Sequence, residues 1–184
     1  MTEHNPVEVT NLDRYGSPAL PWSRPRDLLV ADTPSPDTPF YLGTCRPDGR
    51  PHAAGIGVAS VAGDLYFTSG PGTRKARNLA ANPACTISAR LTGLDLVLEG
   101  EAHVVTDPAT LDRVATVYRA GGWPCEVAGD ALTAPFSAPS AGPPPWYLYR
   151  FTMHTAFGVT TAEPYGATRW RFAASAPGAD DVVE

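Results

Sequence analysis

Residues 66–83 read YFTSGPGTRKARNLAANP and place Arg74, Lys75 and Arg77 within four positions, behind the hydroxyls of Thr68, Ser69 and Thr73 and two glycines. Tyr66-Phe67-Thr68 end a strand, Ser69-Gly70-Pro71-Gly72 turn the chain, Thr73 suits the N-cap of a helix from Arg74 to about Ala81, and Asn82-Pro83 ends it, Asn by tolerating the left-handed conformation and Pro by being unable to continue. A strand end, a Gly/Pro turn and a helix start put unpaired N–H groups, hydroxyls and two cations at the positive end of a helix dipole. Such a site binds an anion, most naturally a phosphate. Arg74 can donate bidentately, while Lys75 is a compact charge with freely rotating donors. Each charge-assisted hydrogen bond contributes about 1.5–3 kcal/mol, so three or four of them would anchor a ligand.

A run of basic residues is more often a solvated helix face. Composition weighs against that reading here. The chain holds thirteen arginines and one lysine at a net charge of -5, and the lysine sits at the candidate site. Two other phosphate motifs are excluded by spacing. GPGTRK lacks the GxxxxGK[ST] pattern, and Gly55-Ile56-Gly57 has no third glycine and lies inside a strand rather than before a helix.

The remaining chemistry-bearing residues are dispersed. His4, His52, His103 and His154 have no metal-ligand spacing, although His52 adjoins the strand carrying Gly55. Glu99 and Glu101 share one face of a strand, and no GxSxG elbow is present. Cys45, Cys85 and Cys125 form no CxxC pair and read as free thiols. Trp123, Trp146 and Tyr147 bracket a Pro-rich loop and read as packing residues. The acidic balance argues against nucleic acid. No apolar run approaches the roughly 18 residues of a membrane span, and the polar N-terminus lacks a signal core; a cytoplasmic protein is expected.

These residues must be positioned by a mainly β domain. Phe40–Cys45, the Pro47-Asp48-Gly49 turn and a strand from His52 to Val61 predict a hairpin. Strands follow at Leu65–Thr68, Cys85–Leu91 and Leu94–Thr106, the last long enough to bend at Gly100. Asp107-Pro108 caps a helix whose Leu111, Val114, Ala115 and Tyr118 fall at i, i+3, i+4 and i+7, ending at Gly121-Gly122. A short helix from Ser23 carries Leu28, Leu29 and Val30, residues 124–145 read as a long loop, and strands resume at 146–153, 157–160 and 168–172. The expectation is a small β-barrel with short helices and six or seven antiparallel strands. It spans 1–172 as one domain, with an arm over 1–22 and a disordered acidic tail over 173–184.

The ordered set Asp48-Gly49-Arg50-Pro51, Phe67-Thr68, Arg74-Lys75, Asn78-Leu79, Asn82-Pro83, Gly100-x-Ala102 and Thr168-Arg169-Trp170 resembles the pyridoxamine 5'-phosphate oxidase-like family of FMN-binding split β-barrels. The resemblance implies a homodimer with FMN in two interface clefts and an oxidoreductase acting on a small molecule, with a nicotinamide reductant as a candidate partner. It implies that Arg74 and Lys75 hold the phosphate with help from Thr68, Ser69 and Thr73. Gly55 and Ile56 would lie near the ring, and Arg169 or Trp170 would come from the second subunit. Two departures stand out: Ala54 and Ala59 occupy positions of an Arg and a Lys in authentic oxidases, and Arg169-Trp170-Arg171 replaces their Arg-x-His motif. Oxidation of pyridoxamine phosphate is therefore not expected. A reductase using the deazaflavin coenzyme F-420 and a non-catalytic flavin- or haem-binding protein are the alternatives.

Overall fold

The computed structural model describes residues 5–31, 33–34, 37–138 and 141–173. The expected tail beyond 173 lies outside them. Chain order runs β1 (Glu8–Asn11), α1 (Ser23–Ala31), β2 (Phe40–Cys45), β3 (Pro51–Ile56), β4 (Val58–Val61), β5 (Asp64–Ser69) and α2 (Arg74–Ala81). It continues β6 (Ala84–Leu91), β7 (Leu94–Val105), α3 (Pro108–Ala120), β8 (Glu126–Ala128), β9 (Ala131–Thr133), β10 (Tyr147–Thr160) and β11 (Ala167–Arg171).

The sheet runs β1-β11-β10-β7-β6-β2-β3, and β5 pairs with both β10 and β4. Sequence predicts one strand over 52–61, but the chain changes partner within it. β3 pairs with β2, Gly57 stands between, and β4 pairs with β5. The covalent chain thus completes a ring of β2, β3/β4, β5, β10, β7 and β6 that hydrogen bonds leave split. This is a split β-barrel of antiparallel strands. β10 is its spine: a continuous strand where sequence suggests two, with a bulge between Met153 and Thr155. Gly100 pairs with Met153 at that bulge, and a Cβ there would run into the Thr152 carbonyl, so the barrel bends where glycine allows it.

Alternation along the strands fills the barrel with Phe40, Leu42, Phe67, Ile87, Leu96, Leu98 and Phe151. Outside it, α3 buries the four residues its spacing singles out, Leu111, Val114, Ala115 and Tyr118, against Ala59, Tyr66 and Leu148. Two segments hold more structure than expected. In the arm, β1 pairs with β11, and within the loop β8 and β9 form a hairpin turned at Gly129-Asp130. Leu132 of β9 exchanges backbone hydrogen bonds with Trp146 at 2.9 and 2.8 Å, which ties the hairpin to the barrel.

Candidate functional site

β5 delivers Ser69 to the barrel end, and the turn Gly70–Gly72 carries the chain into α2. Thr73 has the extended backbone of an N-cap, and its Oγ1 accepts from the Ala76 N–H at 3.3 Å. The Ser69 and Thr73 hydroxyls lie 2.7 Å apart, so strand end and helix start are joined directly. α2 is pinned to the barrel by Leu79 in the core and by Asn78, which donates to the Thr44 hydroxyl at 2.9 Å. Its C-terminus corrects one expectation. Asn82 is extended (φ −153°), not left-handed, as its position before Pro83 demands, and its side chain accepts from Ala84 N–H at 3.0 Å.

Lys75 is only 5% exposed, and it makes no hydrogen bond or ion pair with the described residues. An ammonium in that position loses hydration without a partner, and burial lowers its pKa. Arg74, beside it, is exposed and likewise without a partner among the described residues, whereas Arg77 donates to the Gly72 carbonyl at 3.1 Å and closes the turn.

The fold adds two basic residues that sequence reasoning missed as a group, because hairpin and helix are distant in the chain. Arg46 and His52 flank the β2–β3 turn. Arg46 Nε and His52 Nδ1 are both buried without a hydrogen-bond partner. The other arginine of the turn is spoken for: Arg50 grips Asp48 at 2.6 and 3.0 Å. Burial first, then the charges of Arg46, Arg74 and Lys75, lower the His52 pKa, which places the three cations within electrostatic reach of His52. No acidic group enters that list. The donor set lacks an anion, and a phosphate matches it in charge and hydrogen-bonding capacity.

β3 leads away from this cluster. From His52 to Ile56 is four residues, about 13 Å at roughly 3.3 Å per residue. Gly55 is exposed opposite Tyr41, with nothing within 4 Å of where its Cβ would stand, while Ile56 is half-buried against the barrel core. Nothing in the chain itself calls for glycine at 55. β3 ends the sheet path, leaving its outer edge unpaired among the described residues. An elongated ligand with an anionic end could lie along it.

Not every expected residue joins the cluster. Alternation puts Thr68 on the Tyr66 side of β5, opposite Ser69, and no hydrogen bond ties its hydroxyl to the others. Arg169 lies across the sheet on β11, donating to Glu8 at 3.2 Å and Thr10 at 3.0 Å, with its Nε buried and unpaired. Trp170 lies apart from the cluster as well. Its indole is fully buried, donates to the Leu20 carbonyl at 3.2 Å and packs 5.4 Å from the Trp22 ring. A side chain already enclosed in its own barrel has no surface for a ligand. Its place was legible, since Trp170 alternates with Arg169 and Arg171 and the apolar member of such a triplet belongs inside.

Among the described residues no group of three or more His, Cys, Asp or Glu could hold a metal, and no helix is long and apolar enough to cross a membrane.

Solved structures share this architecture at low sequence identity. An FAD-binding protein of Mesorhizobium loti is 19% identical, with 88% of this chain and 96% of that one covered at a TM-score of 0.53. A conserved hypothetical protein of Mycobacterium tuberculosis is 16% identical over 91% and 98% of the two chains at 0.55. A haem-binding protein of Mycobacterium smegmatis is 12% identical over 80% of this chain and 58% of its own at 0.56. At these identities the likeness concerns the fold. No curated protein matches the sequence. The profile of the pyridoxamine 5'-phosphate oxidase family, however, matches residues 30–164, most of the barrel and its helices, and the chain belongs to that family.

Proposed function

We propose that the protein is a flavin-dependent oxidoreductase whose cofactor, FMN or a relative sharing its ribityl phosphate, is anchored at Arg74 and Lys75. The observation that carries this reading is Lys75, a buried lysine without a counter-charge among the described residues. Ser69, Thr73, Arg46 and His52 complete the phosphate end, and Gly55 and Ile56 flank the ring along β3. The bound flavin would supply the hydride or electron transfer, leaving the protein to bind, orient and exclude water. Ala54 and Ala59 support a substrate other than pyridoxamine phosphate, because Ala59 is fully buried beneath α3 and neither residue can clamp a second phosphate.

We further propose a homodimer. The barrel's outer face carries a cross-strand row of Gly55, Tyr41, Ser88, Val97, Phe157 and Arg169, in which Tyr41 is 51% exposed. A two-fold axis near the middle of that row would bring the Arg169 end of one copy over the Gly55 end of the other. The F-420 reading keeps second place on one observation: Arg46 and His52 extend the cationic surface beyond α2, as a longer anionic cofactor would require.

The test is a visible spectrum of the purified protein, the mass of the ligand released on denaturation, light scattering for the dimer, and turnover with a nicotinamide reductant. A flavin spectrum with turnover is expected. A protein that takes up neither FMN nor F-420 overturns the proposal, and a bound flavin without turnover makes the chain a binding protein instead.

His52 gives the anion site a pH dependence. Neighbouring cations and burial lower its pKa when the site is empty, and a bound dianion would raise it again. Binding then takes up a proton, and affinity rises as pH falls through the bound-state pKa, levelling off below the free-state value. Calorimetry in buffers of different ionisation heats should show this uptake for FMN, with the share due to His52 lost in His52→Gln. Identical proton uptake in both proteins would remove His52 from the site.

A further inference from the structure

The turn that meets the phosphate also forms one wall of a groove. Pro71, Gly72, Thr73 and Arg74 face residues Ala141 to Pro145 across a space of about 640 Å³. The walls touch at their base, where the Gly70 backbone sits against the Ala141 carbonyl so closely that no Cβ would fit. The far wall is held in shape from behind. Trp146, 1% exposed, donates through Nε1 to the Gly142 carbonyl at 3.3 Å, and Ala138 and Gly142 exchange backbone hydrogen bonds at 3.0 and 2.9 Å. The groove is therefore a built feature of the Pro-rich segment that follows β9.

Its size does not suit a terminal phosphate. The volume falls within the roughly 300–1,000 Å³ of small-molecule sites, many times what one phosphoryl group occupies. Its chemistry is also selective. Pro143, Pro144 and Pro145 present three successive residues without an N–H, so this wall offers an anion nothing to bind and an apolar or aromatic group a dry face. Arg74 is the one cation among the described lining residues, and its charge also acts on His52, so it belongs to both the groove and the basic cluster.

Resting on the flavin reading above, we propose that the cofactor's phosphate is an internal one. A further group joined to its far side lies in the groove between 71–74 and 141–145. Flavin adenine dinucleotide and F-420 share this chemistry, a phosphate substituted on both sides, through an anhydride to adenylate in the first and as a diester in the second. The proline wall suits the uncharged adenosine of the first, with Arg74 left to face its second phosphate, better than the several carboxylates of the second's polyglutamate tail.

The apoprotein should be titrated with riboflavin, FMN, FAD and F-420, following flavin or deazaflavin fluorescence. FAD is expected to bind at least tenfold more tightly than FMN. Gly72→Phe tests the location, because the Cβ at Gly72 meets nothing within 4 Å and its backbone is not left-handed. This substitution should collapse the FAD-to-FMN affinity ratio toward one, with thermal melting confirming that the variant is folded. F-420 binding more tightly than FAD, with the same loss in Gly72→Phe, supports the internal phosphate and assigns the groove to the peptide tail. Equal affinity for FMN and FAD with no gain for F-420, or a Gly72→Phe effect equal on all four ligands, overturns the inference while the flavin reading stands. Failure of all four to bind overturns both.

Discussion

Replacing Lys75 by Met should raise the melting temperature of the ligand-free protein and at the same time weaken FMN binding by about 10- to 100-fold. The two effects have one cause. Lys75 is buried and its ammonium has no partner among the described residues, so the empty fold carries a partly desolvated charge that the unfolded chain hydrates freely. Met keeps much of the volume and removes the charge. Swapping buried charges for apolar groups typically gains on the order of 1–4 kcal/mol. Even about 1–2 kcal/mol would raise the melting point of a chain this size by roughly 2–8 °C. In the complex the sign reverses, since a charge-assisted bond of about 1.5–3 kcal/mol is lost, a factor of ten per 1.4 kcal/mol. The stability gain also depends on pH. Burial lowers the Lys75 pKa from its ordinary 10.5, so the unfolded chain binds the proton more tightly than the folded one. The penalty is present below the folded pKa and fades as pH rises through it toward 10.5, so native and variant melting curves should converge in alkali. A variant that melts lower and binds FMN unchanged would show that Lys75 serves packing alone.

The second large effect falls on stability. Trp170→Ala should cost about 3–5 kcal/mol, the usual range for truncating a large buried aromatic. In a chain of this size that lowers the melting point by roughly 6–20 °C. The side chain is fully buried, its N–H is bonded to Leu20, and the barrel makes room for it at Gly158, where a Cβ would lie 2.8 Å from the ring. Truncation leaves a cavity and an unpaired Leu20 carbonyl. FMN affinity measured well below the lowered melting point should remain within about threefold, because the indole reaches no surface. A variant of unchanged stability with a large loss of affinity would restore Trp170 to the cofactor site. The close approach at Gly158 offers a check by another route: Gly158→Ala should destabilise in the same direction, as the ring must shift to admit a methyl group.

The parts of this molecule that announce themselves in sequence are those with local causes. Thr73 and Asn82-Pro83 bound α2 as predicted, because capping and proline stops act within one turn. The apolar spacing of α3 names its four buried residues, and Asp48-Gly49 marks the hairpin. What stayed hidden depends on partners far along the chain. Nothing local to Gly57 says that the strand before it will pair with β2 and the strand after it with β5. β1 is short and mostly exposed, so it exists as a strand because β11 offers an edge at residues 168–171. The site divides in the same way. Arg74, Lys75, Ser69 and Thr73 are neighbours in sequence and could be read together, whereas Arg46 and His52 reach them only when the β2–β3 hairpin folds beside α2. Trp170 is a different case, a position chosen by resemblance where alternation with two arginines already points inward.

We propose above that a basic cluster at the start of α2 holds the phosphate of a flavin-type cofactor. It is tested most directly by comparing riboflavin with FMN on the native apoprotein, since the two differ only in that phosphate. FMN should bind at least about a hundredfold more tightly than riboflavin, and this ratio should fall to about ten or less in Lys75→Met. Equal affinities for the two flavins on the native protein would contradict it.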